Sequence, residues 1–418
     1  MKRRGAQDLK MIGVRDVRDI NQTVFLHLIR ERQPISRAEI VKATGLRPGT
    51  VSAIVNRLIK ERLVYEGVEG PSSGGRPPRF LYVNAESAYV IAVDIGVRNS
   101  LYAVSDFNGR ILTQRAFVTE GEPVKLLKAI ATEIRDLVRT QYARAKIEAV
   151  GVSVPGLVDR AEGSLIVSPN QGWKNIPVRA IFEKELELPV YVENDANAAA
   201  FAELWYGPLD EVSVRTLLCV LVVEGLGTGL FINGELHVGT RIGLGGFGHM
   251  VIDPAGHLCS CGRRGCWETF ASDRATLERF NASVKPRERV KTVSDIISLA
   301  NDKNPAAVEA LKVTARYLGE GIANLAHGLS PEVVVIGGAI TGAWPLIGPI
   351  INEHVKSNYI VPPMSFVVRP SSVQHPSLFG AIPIALQHCF RDTRISNNGR
   401  VTADRTRPSP KHQDRAVV

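Results

Sequence analysis

Apolar residues recur at helical spacing near the start of the chain and gather into unbroken runs further on. Between Ile20 and Glu31, residues Ile20, Val24, Phe25, Leu28 and Ile29 fall on one helical face. Pro34 interrupts that pattern. Ser36-Arg37-Ala38-Glu39 then has the form of a capping box, in which the serine caps a new helix and the glutamate reaches back. This second helix points Ile40, Val41 and Ala43 inward and ends at Gly45. A third begins at Pro48, a residue suited to a first helical turn, and carries Val51, Ile54, Val55, Leu58 and Ile59 on its inner face. A short helix, a Gly-containing turn and a second helix predict a helix-turn-helix.

The opposite face of the third helix holds Gly49, Ala53, Asn56, Arg57 and Lys60, with Thr50 and Ser52 on the flanks. Small residues at its N-terminal end let a helix lie deep in the major groove. Asn and Arg address base edges there, while Thr, Ser and Lys suit phosphates. Taken singly, Arg57 or Lys60 reads as part of a solvated helix face. The next segment strengthens the nucleic-acid reading. Two short strands, Leu63–Glu66 and Phe80–Val83, flank the Gly/Pro/Arg loop of residues 70–79 and predict a β-wing. An arginine held extended between Gly and Pro fits a narrow minor groove, and the same loop serves as a linker. The candidate contacts to a double-stranded DNA operator are Arg47, Thr50, Ser52, Asn56, Arg57 and Arg76.

From Phe80 onward the pattern changes to buried strands alternating with helices. Tyr89–Gly96 is an apolar strand ending in Asp94-Ile95-Gly96, and a hairpin turns at Asp106-Phe107-Asn108-Gly109. A helix from Val124 to Ala145 follows, then the strand Ala149–Val154 with Pro155-Gly156. Glu193-Asn194-Asp195-Ala196-Asn197 lies near the start of a second lobe, whose strand Thr216–Val223 leads into Gly225-Leu226-Gly227-Thr228-Gly229. A Gly-rich turn after a strand cradles phosphate or simply makes a tight hairpin. Helices are predicted over 271–320, including Thr292–Leu299 and Ala306–Gly321, before the buried strand Glu332–Ala339.

Length and charge refine this picture. A chain of 418 residues, 44% hydrophobic, holds more than one core. The formal charge of +9 is uneven. Residues 1–80 hold 16 Lys/Arg against 8 Asp/Glu, residues 391–418 hold 7 against 3, and the remainder holds 28 against 31. Basicity therefore belongs to the two ends, which points to a polyanion held at one of them. The tail after Phe390, rich in Arg and Pro, is expected to be disordered. No apolar run reaches membrane-spanning length, and no leader is evident, so a cytoplasmic protein without membrane insertion is expected.

Three of the five cysteines fall within eight residues, Cys259, Cys261 and Cys266, with His249 ten positions upstream. Three thiolates and one imidazole make a donor set for a closed, structural zinc ion. Gly262 and Gly265 suit the sharp turns such a site requires, and Asp253-Pro254-Ala255-Gly256 reads as a turn returning His249 to the cysteines. His257 is the rival fourth ligand, but one residue from Cys259 it would strain the tetrahedron. Disulfides or free thiols are the alternative reading.

Taken in order, Asp-Ile-Gly, Val-Pro-Gly, Ser168-Pro169-Asn170, Glu-Asn-Asp-Ala-Asn, Gly-Thr-Gly, Gly248-His249, Cys-x-Cys-Gly-x-x-Gly-Cys-x-Glu and Ile336-Gly337-Gly338 resemble the ROK family of repressors, open reading frames and kinases over Phe80–His388. The helix-turn-helix is similar to its repressor branch, which includes xylose- and N-acetylglucosamine-responsive proteins. The resemblance implies an α/β protein: an N-terminal winged helix-turn-helix followed by a two-lobed actin-like fold of the sugar-kinase, ribonuclease H-like type. The divisions expected are 1–70 for the DNA-binding domain, 71–84 for the wing and linker, 85–190 and 191–390 for the two lobes, and 391–418 for the tail. It implies zinc ligands at His249, Cys259, Cys261 and Cys266, and sugar contacts at Asn170, Asn194, Asp195, His249 and Glu268. In the family's kinases the residue matching Asp195 is the general base.

Two departures bear on activity. The kinases have Asp-x-Gly-Gly-Thr at the first phosphate loop, whereas this chain reads Asp94-Ile95-Gly96-Val97-Arg98. Valine removes the space through which phosphate reaches the backbone. Where the family has Ala-Gly-Glu-x-Gly-His, this chain reads Leu244-Gly245-Gly246-Phe247-Gly248-His249, so a sugar-binding carboxylate is missing at Gly246. The expectation is a sugar-responsive transcriptional regulator without catalytic activity, a homodimer or tetramer on its operator, with a protein partner as a further possible ligand. An ATP-dependent sugar kinase with an appended DNA-binding domain is the alternative.

Overall fold

In the computed structural model the described residues are 25, 26, 28–30, 32–69, 77–208, 214–233, 235–238, 246–360 and 366–391. Residues 25, 26, 28–30 and 32 are helical and bury Phe25, Leu26 and Ile29. After β1 (Ile35–Ser36) comes α1 (Arg37–Thr44). Ser36 caps it by accepting from the Glu39 backbone at 3.3 Å while the Glu39 carboxylate accepts from the Ser36 amide at 2.7 Å. Gly45 closes it with φ of +68°, the left-handed region that costs glycine least. α2 (Pro48–Lys60) starts at its proline and buries Val51, Val55 and Leu58. Ala43, expected inward, is exposed, because so short a helix buries only Ile40. β2 (Val64–Glu69) and β3 (Arg79–Val83) pair antiparallel, and β1 joins the other edge of β3, which makes a winged helix. The wing tip and Arg76 lie outside the described residues.

The first lobe contains β4 (Tyr89–Asp94), β5 (Asn99–Asp106), β6 (Ile111–Val118), α3 (Pro123–Gln141) and β7 (Ile147–Val154). β8 (Leu157–Asp159), β9 (Ser164–Ser168), β10 (Trp173–Ile176), α4 (Val178–Leu186) and β11 (Val190–Asn194) complete it. Its five-stranded sheet runs β11-β7-β4-β5-β6, with β7 parallel to both β4 and β11 and the other pairs antiparallel. Parallel strands buried on both faces read as continuous apolar runs, as Val90–Val93 and Ala149–Val154 do. α3 lays Leu127, Ile130 and Ile134 on one face of that sheet. It stops at Gln141, four residues short of the expected end, where the Tyr142 hydroxyl bonds Thr113 at 2.6 Å.

Beyond α5 (Asp195–Tyr206), the second lobe has β12 (Thr216–Val222), β13 (Leu226–Ile232), β14 (Glu235–Leu236), α6 (Glu268–Ala271), α7 (Asp273–Ser283) and α8 (Val293–Asn301). α9 (Pro305–Leu329), β15 (Val333–Gly337), α10 (Trp344–Asn358), β16 (Val367–Pro370) and α11 (Pro376–Arg391) follow. Its sheet runs β14-β13-β12-β15-β16. α9 passes straight through the predicted stop at Gly321, because that glycine makes room for the buried Trp267: a Cβ there would lie 2.0 Å from the indole.

β11 pairs throughout with β7 in the first sheet, so that lobe extends to Asn194. α11 also returns to the first lobe, where Leu378, Ala381 and Ala385 share a core with Val90, Ala92 and Ala103. The same core takes in Phe25, Ile29, Ile40, Val55 and Leu58 of the winged helix. Among the described residues no helix is long and apolar enough to cross a membrane. The tail beyond residue 391 lies outside them.

Candidate functional site

Two strand ends and one helix start meet between the lobes. Asn194 ends β11 and caps α5, accepting from the amides of Ala196 at 3.0 Å and Asn197 at 3.2 Å. Its Nδ2 donates to the Gly156 carbonyl at 2.9 Å and to Asp195 Oδ1 at 2.8 Å, which fixes both polar side chains at the mouth of the helix. Asn170 follows β9, and its Oδ1 accepts from Arg274 at 3.3 Å. Glu268 opens α6 with its carboxylate 2% exposed, accepting from Cys259 Sγ at 2.9 Å and Ser260 Oγ at 3.2 Å.

These residues line a single cleft of about 640 Å³, together with His249, Gly246, Gly225 and Gly227. All five sugar contacts implied by the sequence, Asn170, Asn194, Asp195, His249 and Glu268, are therefore brought together. Gly225 lets Asn170 and Glu268 converge, since a Cβ there would lie 2.4 Å from Asn170 Nδ2 and 2.9 Å from Glu268 Oε2. Gly246 faces open space, with no atom within 4 Å of the position a Cβ would take.

The cleft lining is acidic, with Asp159, Glu193, Asp195 and Glu268. Burial raises the Asp195 carboxyl to about 6, against the pull of the Ala196 amide and the Asn194 side chain. Burial raises Asp94 further, to about 7, with Asp195 adding repulsion and the Ser153 hydroxyl opposing at 3.0 Å. An ionised Asp195 accepts hydrogen bonds from hydroxyl groups, and the neighbouring amides both donate and accept. Such a set recognises vicinal diols.

The sequence assigned no role to Glu193 and Asn197, which it placed only within a motif, and none to Arg160 or Arg274. Glu193 is buried at 2% exposure; it accepts from Asn197 Nδ2 at 2.9 Å and pairs with Arg160 at 2.6 Å. A charged residue inside an apolar strand that runs into a helix cap was the available signal. Arg274 carried none, since its role arises only when α7 folds against Asn170.

At the phosphate-loop position, Val97 lines the cleft and Arg98 leaves it. The Arg98 guanidinium pairs with Glu224 at 2.8 Å and donates to the Lys291 carbonyl at 3.0 Å, joining the two lobes. Gly227 and Gly229 of the Gly-Thr-Gly segment lie in β13 against α5, where a Cβ would meet Ala196 and Ala200 at 2.5–2.7 Å. Their visible use is close packing of helix on strand.

Beside the cleft, His249, Cys259, Cys261 and Cys266 place one donor atom each within 4.8 Å of one another. His249 Nδ1 lies 3.4 Å from Cys259 Sγ, and the Cys261 and Cys266 sulfurs are 3.6 Å apart. Asp253–Gly256 makes the expected turn, closed at 2.9 Å, and Gly262 and Gly265 have φ of +89° and +69°. His257 sits against Phe270 instead, with ring centroids 6.1 Å apart. The geometry and the soft donor set fit a tetrahedral metal.

On the winged helix, Arg47, Thr50, Asn56 and Arg57 are exposed and Ser52 is half-buried. Asn56 Oδ1 accepts from Arg37 at 2.9 Å, and Arg57 pairs with Glu61 one turn on at 2.9 Å. Arg37 also pairs with Glu66 of the wing at 2.7 Å, so helix and wing are tied together.

Residues 90–388 match the ROK family and residues 18–73 match the MarR family. The chain is 32% identical over 377 residues to the xylose repressor of Bacillus spizizenii, spanning 89% of this chain and 96% of that protein. It is 27% identical to the DNA-binding transcriptional dual regulator NagC of Escherichia coli, over 88% and 92% of the two chains. Among solved structures it resembles a ROK family transcriptional regulator, a homologue of the Escherichia coli MLC protein. The TM-score is 0.75 at 26% identity, covering 90% of this chain and 97% of that one. A ROK family glucokinase from Streptomyces griseus, in complex with glucose and AMPPNP, matches with TM-score 0.64 at 29% identity, over 72% of this chain and all of that one.

Proposed function

The chain belongs to the ROK family, and on that premise we propose that it is a DNA-binding transcriptional regulator, a repressor of carbohydrate-use genes whose operator affinity is set by a sugar held between the lobes. The observation that carries this reading is the substitution at the phosphate loop. Val97 lines the cleft where the resemblance implies a glycine in the family's kinases, and Arg98 is spent on Glu224 and the Lys291 carbonyl. Phosphoryl transfer depends on positioning and charge stabilisation at that point, whereas ligand binding does not. The cleft brings together Asn170, Asn194, Asp195, His249 and Glu268, and Arg47, Thr50, Asn56 and Arg57 are exposed on the winged helix.

In this reading Asp195 is a ligand contact, with Asn170, Asn194, His249 and Glu268 beside it. Arg47, Thr50, Ser52, Asn56, Arg57 and Arg76 face the operator. With its Oδ1 taken by Arg37, Asn56 offers its N–H groups to acceptor edges of the bases. Zinc held by His249, Cys259, Cys261 and Cys266 would be structural, because protein fills all four positions. It would fix the His249 ring and the loop that delivers Glu268. The DNA-binding unit is a two-fold dimer, as reading two half-sites requires.

A gel shift on DNA flanking the gene, with d-xylose, d-glucose, N-acetylglucosamine and their phosphates, tests this. Tight binding released by one sugar is the expected result. ATP-dependent phosphorylation of any of these sugars by the wild-type protein would favour the kinase reading instead.

A further inference from the structure

The two ends of α5 belong to different machinery. Its first turn, capped by Asn194, carries Asp195 and Asn197 into the cleft. Its last turn carries Trp205 and Tyr206 to the winged helix. The Arg30 guanidinium lies 3.6 Å over the Trp205 ring, within the core that also holds Phe25, Leu26 and Ile29. The Tyr206 hydroxyl donates to the Gly109 carbonyl at 3.2 Å and its ring meets Phe379 edge-on at 5.3 Å. The turn that Tyr206 holds is also held from the winged-helix side: Gln33 donates to Asn108 at 3.0 Å while accepting from the Val83 amide at 2.9 Å.

Between those ends the helix is mostly alanine, with Phe201 packed edge-on to Phe231 at 4.9 Å and Glu203 accepting from Arg369 at 3.2 Å. Ala196, Ala198, Ala199, Ala200 and Ala202 are fully buried, and glycines clamp the backbone from two sides. A Cβ on Gly380 of α11 would lie 1.7 Å from the Ala198 carbonyl, and one on Gly229 of β13 would lie 2.5 Å from that of Ala196. Long side chains absorb small displacements by changing rotamer; alanine has none to change. A helix about 18 Å long, gripped backbone to backbone, moves as a rod.

We infer that α5 is the strut coupling the effector cleft to the DNA-binding domain, and that Trp205 is the positioning residue that passes its movement through Arg30 to the helical residues around Phe25, Leu26 and Ile29. This rests on the regulator reading and adds the route by which the two sites sense each other. Coupling is reciprocal, so operator DNA must alter the cleft as the effector alters DNA binding. The test therefore needs no knowledge of the sugar.

Full-length protein is used to select a binding fragment from a random DNA pool. Amide hydrogen exchange over residues 190–206 is then measured with and without that fragment. The amides of Ala196 and Asn197 report the Asn194 cap directly. In the wild type, saturating DNA changes their exchange about tenfold, a common size for allosteric coupling. Trp205→Ala still binds the fragment within about threefold but loses the change at the cap, and Trp205→Phe keeps it. Arg30→Met, which retains a stem over the ring, weakens the change without emptying the core. A DNA-induced change that survives in both Trp205→Ala and Arg30→Met overturns the strut, as does wild-type protein saturated with DNA whose cap is unaltered. Failure of the wild type to retain any DNA overturns the regulator reading itself, and this inference with it.

Discussion

Gly246 leaves open space at the cleft, at the position where the resemblance to the ROK family implies a carboxylate. Gly246→Glu therefore meets no steric obstacle. A charged acceptor contributes about 1.5–3 kcal/mol to a hydrogen bond, so titration calorimetry is expected to show monosaccharide affinity rising at least tenfold. An unchanged affinity would mean the position does not face the ligand. Asp195 supplies a second residue-level test. Its carboxyl titrates at about 6 and that of Asp94 at about 7, both raised by burial. Raised carboxyls favour the folded state while protonated. Their contribution to stability is full below about pH 4 and is lost as pH climbs through 6 to 7. Ligand affinity runs the other way, because an ionised Asp195 is the better acceptor for sugar hydroxyls. Binding should weaken as pH falls below 6, by up to about tenfold per pH unit, and Asp195→Asn should flatten that profile. A profile of unaltered slope in the variant would assign the titration elsewhere.

At the scale of elements, the segment from His249 to Trp267 has little regular structure of its own. Two isolated bridges, Val251 with Cys266 and Leu258 with Arg264, are its only strand pairing among the described residues. Backbone hydrogen bonds such as Ile252 N–H to the Gly265 carbonyl at 2.9 Å hold it, with the Trp267 indole donating to the Tyr317 carbonyl at 2.7 Å, and the proposed metal would add to these. Cys266→Ser, or a strong chelator, is expected to release one zinc per chain and lower the melting temperature. Sugar binding should fall more than tenfold, because His249 and Glu268 lose their support. Elemental analysis and scanning calorimetry together check this; a metal-free protein of wild-type stability would reject a structural ion. These elements were legible in sequence because their signals are local. The Ser36 capping box, the left-handed Gly45, the proline at the start of α2 and the cysteine spacing each act within a few residues. α9 shows the limit of such signals. Gly321 reads as a stop, yet the helix continues, since the need to seat Trp267 outweighs the roughly 1 kcal/mol that a helical glycine costs.

At the scale of the whole molecule, a two-fold dimer predicts a palindromic operator. Footprinting should show two half-sites whose centres are about 10–10.5 base pairs apart, or a multiple of that. Sedimentation should show two chains per DNA duplex; one chain on an asymmetric site would contradict the dimer. The sequence by itself determined the winged helix, the alternation of strands and helices, and the close spacing of three cysteines that meet His249 in the fold; the polar residues of the cleft were implied by the resemblance to the ROK family. Periodicity, capping and ligand spacing are properties of short stretches, and they survive without knowledge of partners. Only the tertiary structure decided that β11 belongs to the first sheet, that α11 crosses back to it, and that Arg98 bridges to Glu224 126 residues away. It also decided that Asp195 lines the cleft while Trp205, at the other end of the same alanine-rich helix, lies under Arg30. Contacts between distant segments depend on which surfaces meet when the chain closes, and no local pattern along the chain records that choice.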